Sequence, residues 1–279
     1  MIRLSPAKIN LGLRITGKRE DDFHELHSIM IPIPFCDLIE ITAISDTKSS
    51  LEFTQSGIKP DIPVNENLCV KALELFARKH PVGTLKIHLH KQIPFGAGLG
   101  GGSSNASTVI EMLNDLYGAP LSFDLLCDMA AELGSDCPFF LHHQPMLMEG
   151  RGELLSRIHL DLKGVYLVLL NPGLIISTAE AFQLVKPEKM ETSLPDLTRE
   201  PRNMWRQSII NDFEPPLFVK HPELRILKNK LYEFGAFYAS LSGSGSSIYG
   251  LFKERPILPS EITGKRIWEG ELKSVTQIQ

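Results

Sequence analysis

Near the start of the chain, Ile9, Leu11, Leu13 and Ile15 alternate with Lys8, Asn10, Gly12 and Arg14. A period of two predicts a half-buried strand that ends near Gly17, with Lys8 and Asn10 together on the face away from the core. Further strands are predicted over 37–44 (DLIEITAI) and 84–93 (TLKIHLHKQI). In the second, Leu85, Ile87 and Leu89 face inward while Lys86, His88 and His90 face out. His88 and His90 have the spacing of a metal pair, but no third ligand stands near them in sequence, so the pair reads as a solvated strand face.

The period lengthens to that of a helix over 104–117. There Ala106, Val109, Ile110, Leu113, Leu116 and Tyr117 form one stripe, closed by Gly118 and Pro120. Ser122 reads as the N-cap of a second helix, with Leu125, Leu126, Met129, Ala130 and Leu133 inward and Gly134 as its stop. Helices are also predicted over 67–78 and 222–235, and strand-like runs flank LSGSGSS at 241–247. Residues 187–207, rich in Pro, Thr, Glu and Arg and weakly periodic, read as a mobile connection or peripheral elements. The rhythm changes near residue 155, which predicts two α+β lobes over 1–155 and 156–279.

Composition narrows the class. The 279 residues are 43% hydrophobic and 22% charged, enough for an ordinary core without disulfides or a structural metal. A net charge of −4 leaves no overall basic field to attract nucleic acid or anionic lipid, so any phosphate binding must be local. Cys36, Cys69, Cys127 and Cys137 form no C-x-x-C pair and lie in apolar stretches, as buried thiols in a reducing compartment do. The start of the chain lacks a signal-peptide pattern, and the longest apolar runs, such as VYLVLL at 165–170, are too short to span a bilayer. These features favour a cytoplasmic protein whose partners are small molecules, not nucleic acid or membrane.

The stretch PFGAGLGGGSSNAS at 94–107 holds five glycines in the seven positions 96–102. Ordering glycine costs entropy, so such a run is either a linker or a backbone that must approach something closely. A strand precedes it and a helix stripe follows, with two serines at the junction. That is the arrangement of an anion cradle at a helix N-terminus. G-x-x-x-x-G-K-[ST] is absent. G-x-G-x-x-G matches at Gly96, Gly98 and Gly101, which keeps a dinucleotide enzyme as an alternative. Against it, the following helix leads to another helix, and no acidic residue ends a strand some twenty positions on.

The glycine stretch resembles the phosphate loop of the galactokinase/homoserine kinase/mevalonate kinase superfamily. SPAKINLGLRITGKREDDFHEL (5–26), GSDCPFFL (134–141) and LSGSGSSIYGLF (241–252) narrow the resemblance. In this order and spacing they resemble the branch whose substrate is 4-diphosphocytidyl-2-C-methyl-D-erythritol. The resemblance implies a two-lobed GHMP-kinase fold, with a ribosomal-protein-S5-domain-2-like N-terminal lobe and a ferredoxin-like C-terminal lobe. It also implies transfer of the ATP γ-phosphoryl group to the substrate 2-hydroxyl on the non-mevalonate route to isoprenoid precursors. Another kinase of the superfamily, acting on mevalonate or homoserine, is the runner-up. A nucleotide-binding regulator without phosphoryl transfer is the rival from outside enzymes.

The roles that follow are implied by the resemblance. The family's G-[AS]-D aspartate and P-A-K lysine map onto Asp136 and Lys8, as base and cation at the acceptor hydroxyl; singly, each also suits a turn residue or a solvated edge lysine. Pro94, Gly96, Ala97, Gly98, Leu99, Gly100, Gly101, Gly102, Ser103 and Ser104 form the ATP loop, with Asn67, Leu68 and Lys91 on the adenine side. Mg2+ is implied with ATP and held chiefly by phosphates, waters and Ser103 or Ser104, since no acidic metal motif is seen. The family's D-G-Y-H segment reads Asp21-Asp22-Phe23-His24 here, with Asp22 in place of glycine and Phe23 lacking the phenol hydroxyl. Phe23 and Phe182 become aromatic walls for the cytosine, His24 and Asn10 meet its edge, and Thr178 lies in the same strip. Gly243 and Ser244 face the substrate cleft, or else form a plain hairpin turn.

Overall fold

The computed structural model describes residues 1–21, 23–44, 51–59 and 62–272. Their strands make two sheets. The first contains β1 (Ile2–Lys18), β2 (His24–Ile44), β3 (Leu51–Gly57), β4 (Thr84–Lys91), β5 (Met146–Gly150) and β6 (Leu154–Arg157). Its order is β3-β4-β2-β5-β6, with β1 paired to β2, and every pairing is antiparallel except β3 with β4. The second contains β7 (Tyr166–Leu170), β8 (Tyr238–Leu241), β9 (Ile248–Phe252) and β10 (Arg266–Glu271) in the antiparallel order β10-β7-β9-β8. The change of sheet falls after Arg157, two residues beyond 155.

Helices α1 (Leu68–Ala77), α2 (Gly101–Leu116), α3 (Phe123–Leu133) and α4 (Cys137–Leu141) belong to the first half. The second half carries α5 (Thr178–Leu184), α6 (Leu194–Leu197), α7 (Trp205–Ser208), α8 (Glu214–Lys220), α9 (Pro222–Glu233) and α10 (Ser260–Thr263). Alternation along the strands sorts side chains between layers. Ile39, Ile41, Leu85, Ile87 and Leu89 pack under α1, α2 and α3, where the predicted stripes supply Val109, Ile110, Leu113, Met129 and Ala130. Leu167 and Leu169 of β7 meet Ile9, Leu11, Ile29 and Ile31 in a second core between the sheets. Val168 and Leu170 point the other way, onto Leu217, Leu224, Leu227 and Leu231 of α8 and α9.

Two expectations change. Residues 187–207 are not a mobile connection but mostly exposed, peripheral elements anchored at two points: Leu194 of α6 is 0% exposed and Trp205 of α7 is 2% exposed, both inside the core between the sheets. Burying such side chains gains ~1.5–3 kcal/mol each, which holds short helices that local periodicity does not announce. His88 and His90 do face away from the apolar core, but β3 flanks them. Thr54 Oγ1 lies 2.8 Å from His88 Nδ1, and Ser56 Oγ lies 2.9 Å from both His88 Nε2 and His90 Nδ1. Hydroxyls of the neighbouring strand therefore take the positions assigned to water.

Candidate active site

The glycine loop runs left-handed at Gly96, Gly98 and Gly100, with φ of 58°, 74° and 66°. Side chains disfavour that region, and at Gly98 space forbids one too: a Cβ there would lie 2.0 Å from the Ser242 carbonyl oxygen. The loop rests directly on the β8–β9 turn. Ser242 Oγ donates to the Gly98 carbonyl at 2.9 Å, and the Ser247 amide to that of Ala97 at 3.2 Å. Gly100 holds the N-cap position of α2 without any side-chain cap. The first-turn amides of α2 thus front a cleft of about 800 Å³ that Gly100, Gly101, Gly102 and Ser103 line.

β1 delivers the next groups. The Lys8 amide donates to the Leu99 carbonyl at 2.9 Å, which ties the strand to the loop. Lys8 and Asn10 share a strand face as predicted, and that face is buried beneath the cleft: Lys8 is 5% exposed and Asn10 2%. Lys8 Nζ donates to Asn10 Oδ1 at 2.6 Å and stands 3.6 Å from Asp136 Oδ2. Asn10 Nδ2 in turn donates to Ser28 Oγ at 2.9 Å, so the amide is oriented from β2. Asp136 precedes α4, but its carboxylate makes no capping bond there. It is open to the cleft.

Aromatic rings close the far end. Phe182 of α5 stacks on His24 at 4.9 Å and 19°, and Phe213 meets Phe182 edge-on at 5.0 Å. Burial, then the nearby Lys18 charge, pushes the His24 imidazole below its ordinary pKa, which favours the neutral ring. Phe23 is 55% exposed, with the Arg151 guanidinium 5.0 Å over its ring. Thr178 Oγ1 lies 3.3 Å from Ser244 Oγ, and a Cβ at Gly243 would come within 3.4 Å of both Asn10 Oδ1 and Lys8 Nζ. Gly243 and Ser244 form a hairpin turn and line the cleft at once.

Leu68 and Pro94 line the cleft; Asn67, Lys91 and Ser104 do not. Asn67 caps α1, accepting from the Cys69 amide at 2.9 Å. Ser104 is fully buried, with its hydroxyl 2.8 Å from that of Ser5. Lys91, 1% exposed, pairs with buried Asp37, which also accepts from the Gln92 and Ile93 amides at 2.7 and 2.9 Å. Of the residues expected on the adenine side, Leu68 thus faces the cleft, Lys91 lies under Gly101 of the loop and Asn67 caps α1. Asp22 lies outside the described residues. Arg151, Phe213 and Ile176 line the cleft without having been foreseen. Only Arg151, set between Gly150 and Gly152, carried a sequence signal, that of a turn.

The description "GHMP kinases N terminal domain" matches residues 67–144, and "GHMP kinases C terminal" matches 193–258. A protein of Parabacteroides distasonis named 4-diphosphocytidyl-2-C-methyl-D-erythritol kinase is 42% identical over 98% of this chain and 100% of its own length. One of the same name from Azobacteroides pseudotrichonymphae is 44% identical over 92% and 96%. The chain belongs to the 4-diphosphocytidyl-2-C-methyl-D-erythritol kinase family. A crystal structure of a 4-(cytidine 5'-diphospho)-2C-methyl-D-erythritol kinase superposes on it with a TM-score of 0.82 at 33% identity, covering 98% of this chain and 100% of the other. The first sheet with α1–α4 is accordingly the S5-domain-2-like lobe of this kinase family, and the second sheet with its helices is the ferredoxin-like lobe.

Proposed function

We propose that the protein transfers the γ-phosphoryl group of ATP to the 2-hydroxyl of 4-diphosphocytidyl-2-C-methyl-D-erythritol, giving the 2-phosphate and ADP on the non-mevalonate route. The observation that carries this reading is the Lys8–Asp136 contact of 3.6 Å, set between the amide-lined loop and the aromatic end of one cleft. Phosphoryl transfer needs positioning and charge stabilisation more than covalent help. Asp136 Oδ2 accepts the hydroxyl proton as the substrate's own 2-oxygen attacks the γ-phosphorus and the bond to ADP breaks. Lys8 Nζ, aimed by Asn10 Oδ1, offsets the charge that builds on the transferring group.

The N-terminal lobe, residues 1–155, takes the ATP phosphates on the 96–103 loop with its adenine towards Leu68 and Pro94. The C-terminal lobe, residues 156–279, supplies Phe182, Thr178, Gly243 and Ser244 on the substrate side. Phe23 and Phe182 offer stacking faces for a cytosine, while neutral His24 and Asn10 offer hydrogen bonds. Among the described residues no cluster of three His, Cys, Asp or Glu gathers to hold a metal. Magnesium fits as a phosphate-bound companion of ATP, which Ser103 and Asp136, both lining the cleft, would help to hold. Among the described residues no helix is long and apolar enough to cross a membrane, and the four cysteines are free, which suits the reducing cytoplasm.

Purified protein with ATP, magnesium and 4-diphosphocytidyl-2-C-methyl-D-erythritol should release ADP, and CDP should compete with the cytidylyl substrate. Turnover of mevalonate or homoserine in its place, with no effect of CDP, would replace this reading by the superfamily alternative.

A further inference from the structure

A buried asparagine outside the catalytic pair ties the two halves of the cleft together. Asn211, 1% exposed, follows α7 and faces β1 as an isolated bridge to Leu13. The Leu13 amide donates to the Ile210 carbonyl at 2.9 Å, and the Asp212 amide to the Leu13 carbonyl at 2.8 Å. Asp212 Oδ2 then accepts from the Ile15 amide at 2.7 Å. Residues 210–212 are thereby clipped to the strand that carries Lys8 and Asn10.

From that clip the Asn211 side chain reaches in two directions. Its Nδ2 donates to the carbonyls of Leu241 and Gly243, both at 2.9 Å. Its Oδ1 accepts from the Phe213 amide at 3.0 Å. Gly243 belongs to the turn that faces Lys8 and Asn10, and Phe213 backs Phe182. One amide therefore sets the substrate-side turn and the aromatic wall against the catalytic strand, with both donors and the acceptor in use.

We infer that Asn211 is a positioning residue chiefly for the acceptor substrate: it holds the Gly243 turn and Phe213 at fixed distance from Lys8 and Asn10. This rests on the kinase reading above. The phosphate loop meets the same turn at Ser242 and Ser247, so some of the loss reaches the nucleotide, but Phe213 and Phe182 stand on the acceptor side alone and the acceptor should suffer more.

Asn211→Asp keeps the acceptor for Phe213 but turns both donors into an oxygen facing two carbonyls. It should raise KM for the cytidylyl substrate roughly tenfold or more and lower kcat, with a clearly smaller rise, about threefold, in KM for ATP, because small displacements in a positioned site are costly. Asn211→Ala, which removes the repulsion but also the bonds, should show the same split less severely. Equal rises in both KM values alongside a lowered Tm would mark a merely structural residue. In unaltered 15N-labelled protein the Asn211 side-chain amide protons should exchange slowly and shift more on CDP addition than on ADP addition. Fast exchange, or no CDP response, overturns the inference even if neither variant folds. Wild-type protein that neither binds CDP nor turns over the substrate overturns the kinase reading and this inference with it. An active wild type with unchanged KM in Asn211→Asp overturns this inference alone.

Discussion

Lys8 Nζ and Asp136 Oδ2 face each other at 3.6 Å, the ammonium with 6% of its side chain exposed and the carboxylate with 33%. The cation is sheltered and the carboxylate is accessible, as suits a fixed electrostatic partner and a group that must reach a substrate proton. Asp136→Asn keeps the size and removes the proposed base. It should lower kcat by ~100-fold or more, the scale of general-base loss, while leaving ATP-analogue affinity within a few-fold. Near-normal turnover, measured by coupled ADP release, would move the base elsewhere.

The exposed ring of Phe23 is a candidate stacking face. Phe23→Ala should weaken binding of the cytidylyl substrate by ~1–3 kcal/mol, as loss of base–aromatic stacking does. Calorimetric titration with CDP checks it, and unchanged affinity removes Phe23 from the site.

Two glycines of the same loop should behave oppositely. At Gly98 a methyl would sit 2.0 Å from the Ser242 carbonyl oxygen at a φ of +74°, whereas at Gly102 it would meet only Leu68 at 3.5 Å. Gly98→Ala should therefore lose most ATP affinity and turnover, while Gly102→Ala should fold with unchanged Tm. Nucleotide titration and calorimetry of the two variants separate these outcomes.

Beneath the loop, burial pushes the Lys91 ammonium below its ordinary pKa and Asp37 pulls it back up. Lys91→Met leaves the Asp37 carboxylate unpaired at 0% exposure and should cost ~3–5 kcal/mol in urea unfolding. Adding Asp37→Asn should recover part of that loss. An additive double variant would show that the two groups do not act as a pair.

His24, His27 and His142 all have imidazoles pushed below the usual 6.5, chiefly by burial. Between their folded values and 6.5 the unfolded chain binds more protons than the folded one, so stability from these groups rises with pH through that window and levels off above it. Tm should fall from pH 7 to pH 5.5, and His27→Asn should make the fall shallower. An unchanged slope in the calorimetric series would assign the fall to other groups.

Periodicity was sufficient for β1, β4, α1, α2, α3 and α9, because one side of each is apolar and the other polar over enough residues to show a period. β2 was only half legible: residues 29–35 are apolar on both faces, and Pro32 and Pro34 interrupt any strand period there. β3, β5, β6 and β10 are short or half-exposed, and α6 and α7 are single turns held by Leu194 and Trp205. Such pieces take their stability from what they touch, and a local window does not contain the partner.

The same division runs through the site. The chain by itself determined that a glycine-rich backbone precedes a helix, that Lys8 and Asn10 share a face, and that this chemistry suits a phosphorylated small molecule, since spacing and residue type are local properties. Only tertiary packing decided that Asp136 meets Lys8, that Lys91 faces Asp37 instead of the cleft, and that Asn211 spans both halves. Those contacts join residues far apart in the chain, and their distances depend on strand register and on how one sheet seats on the other.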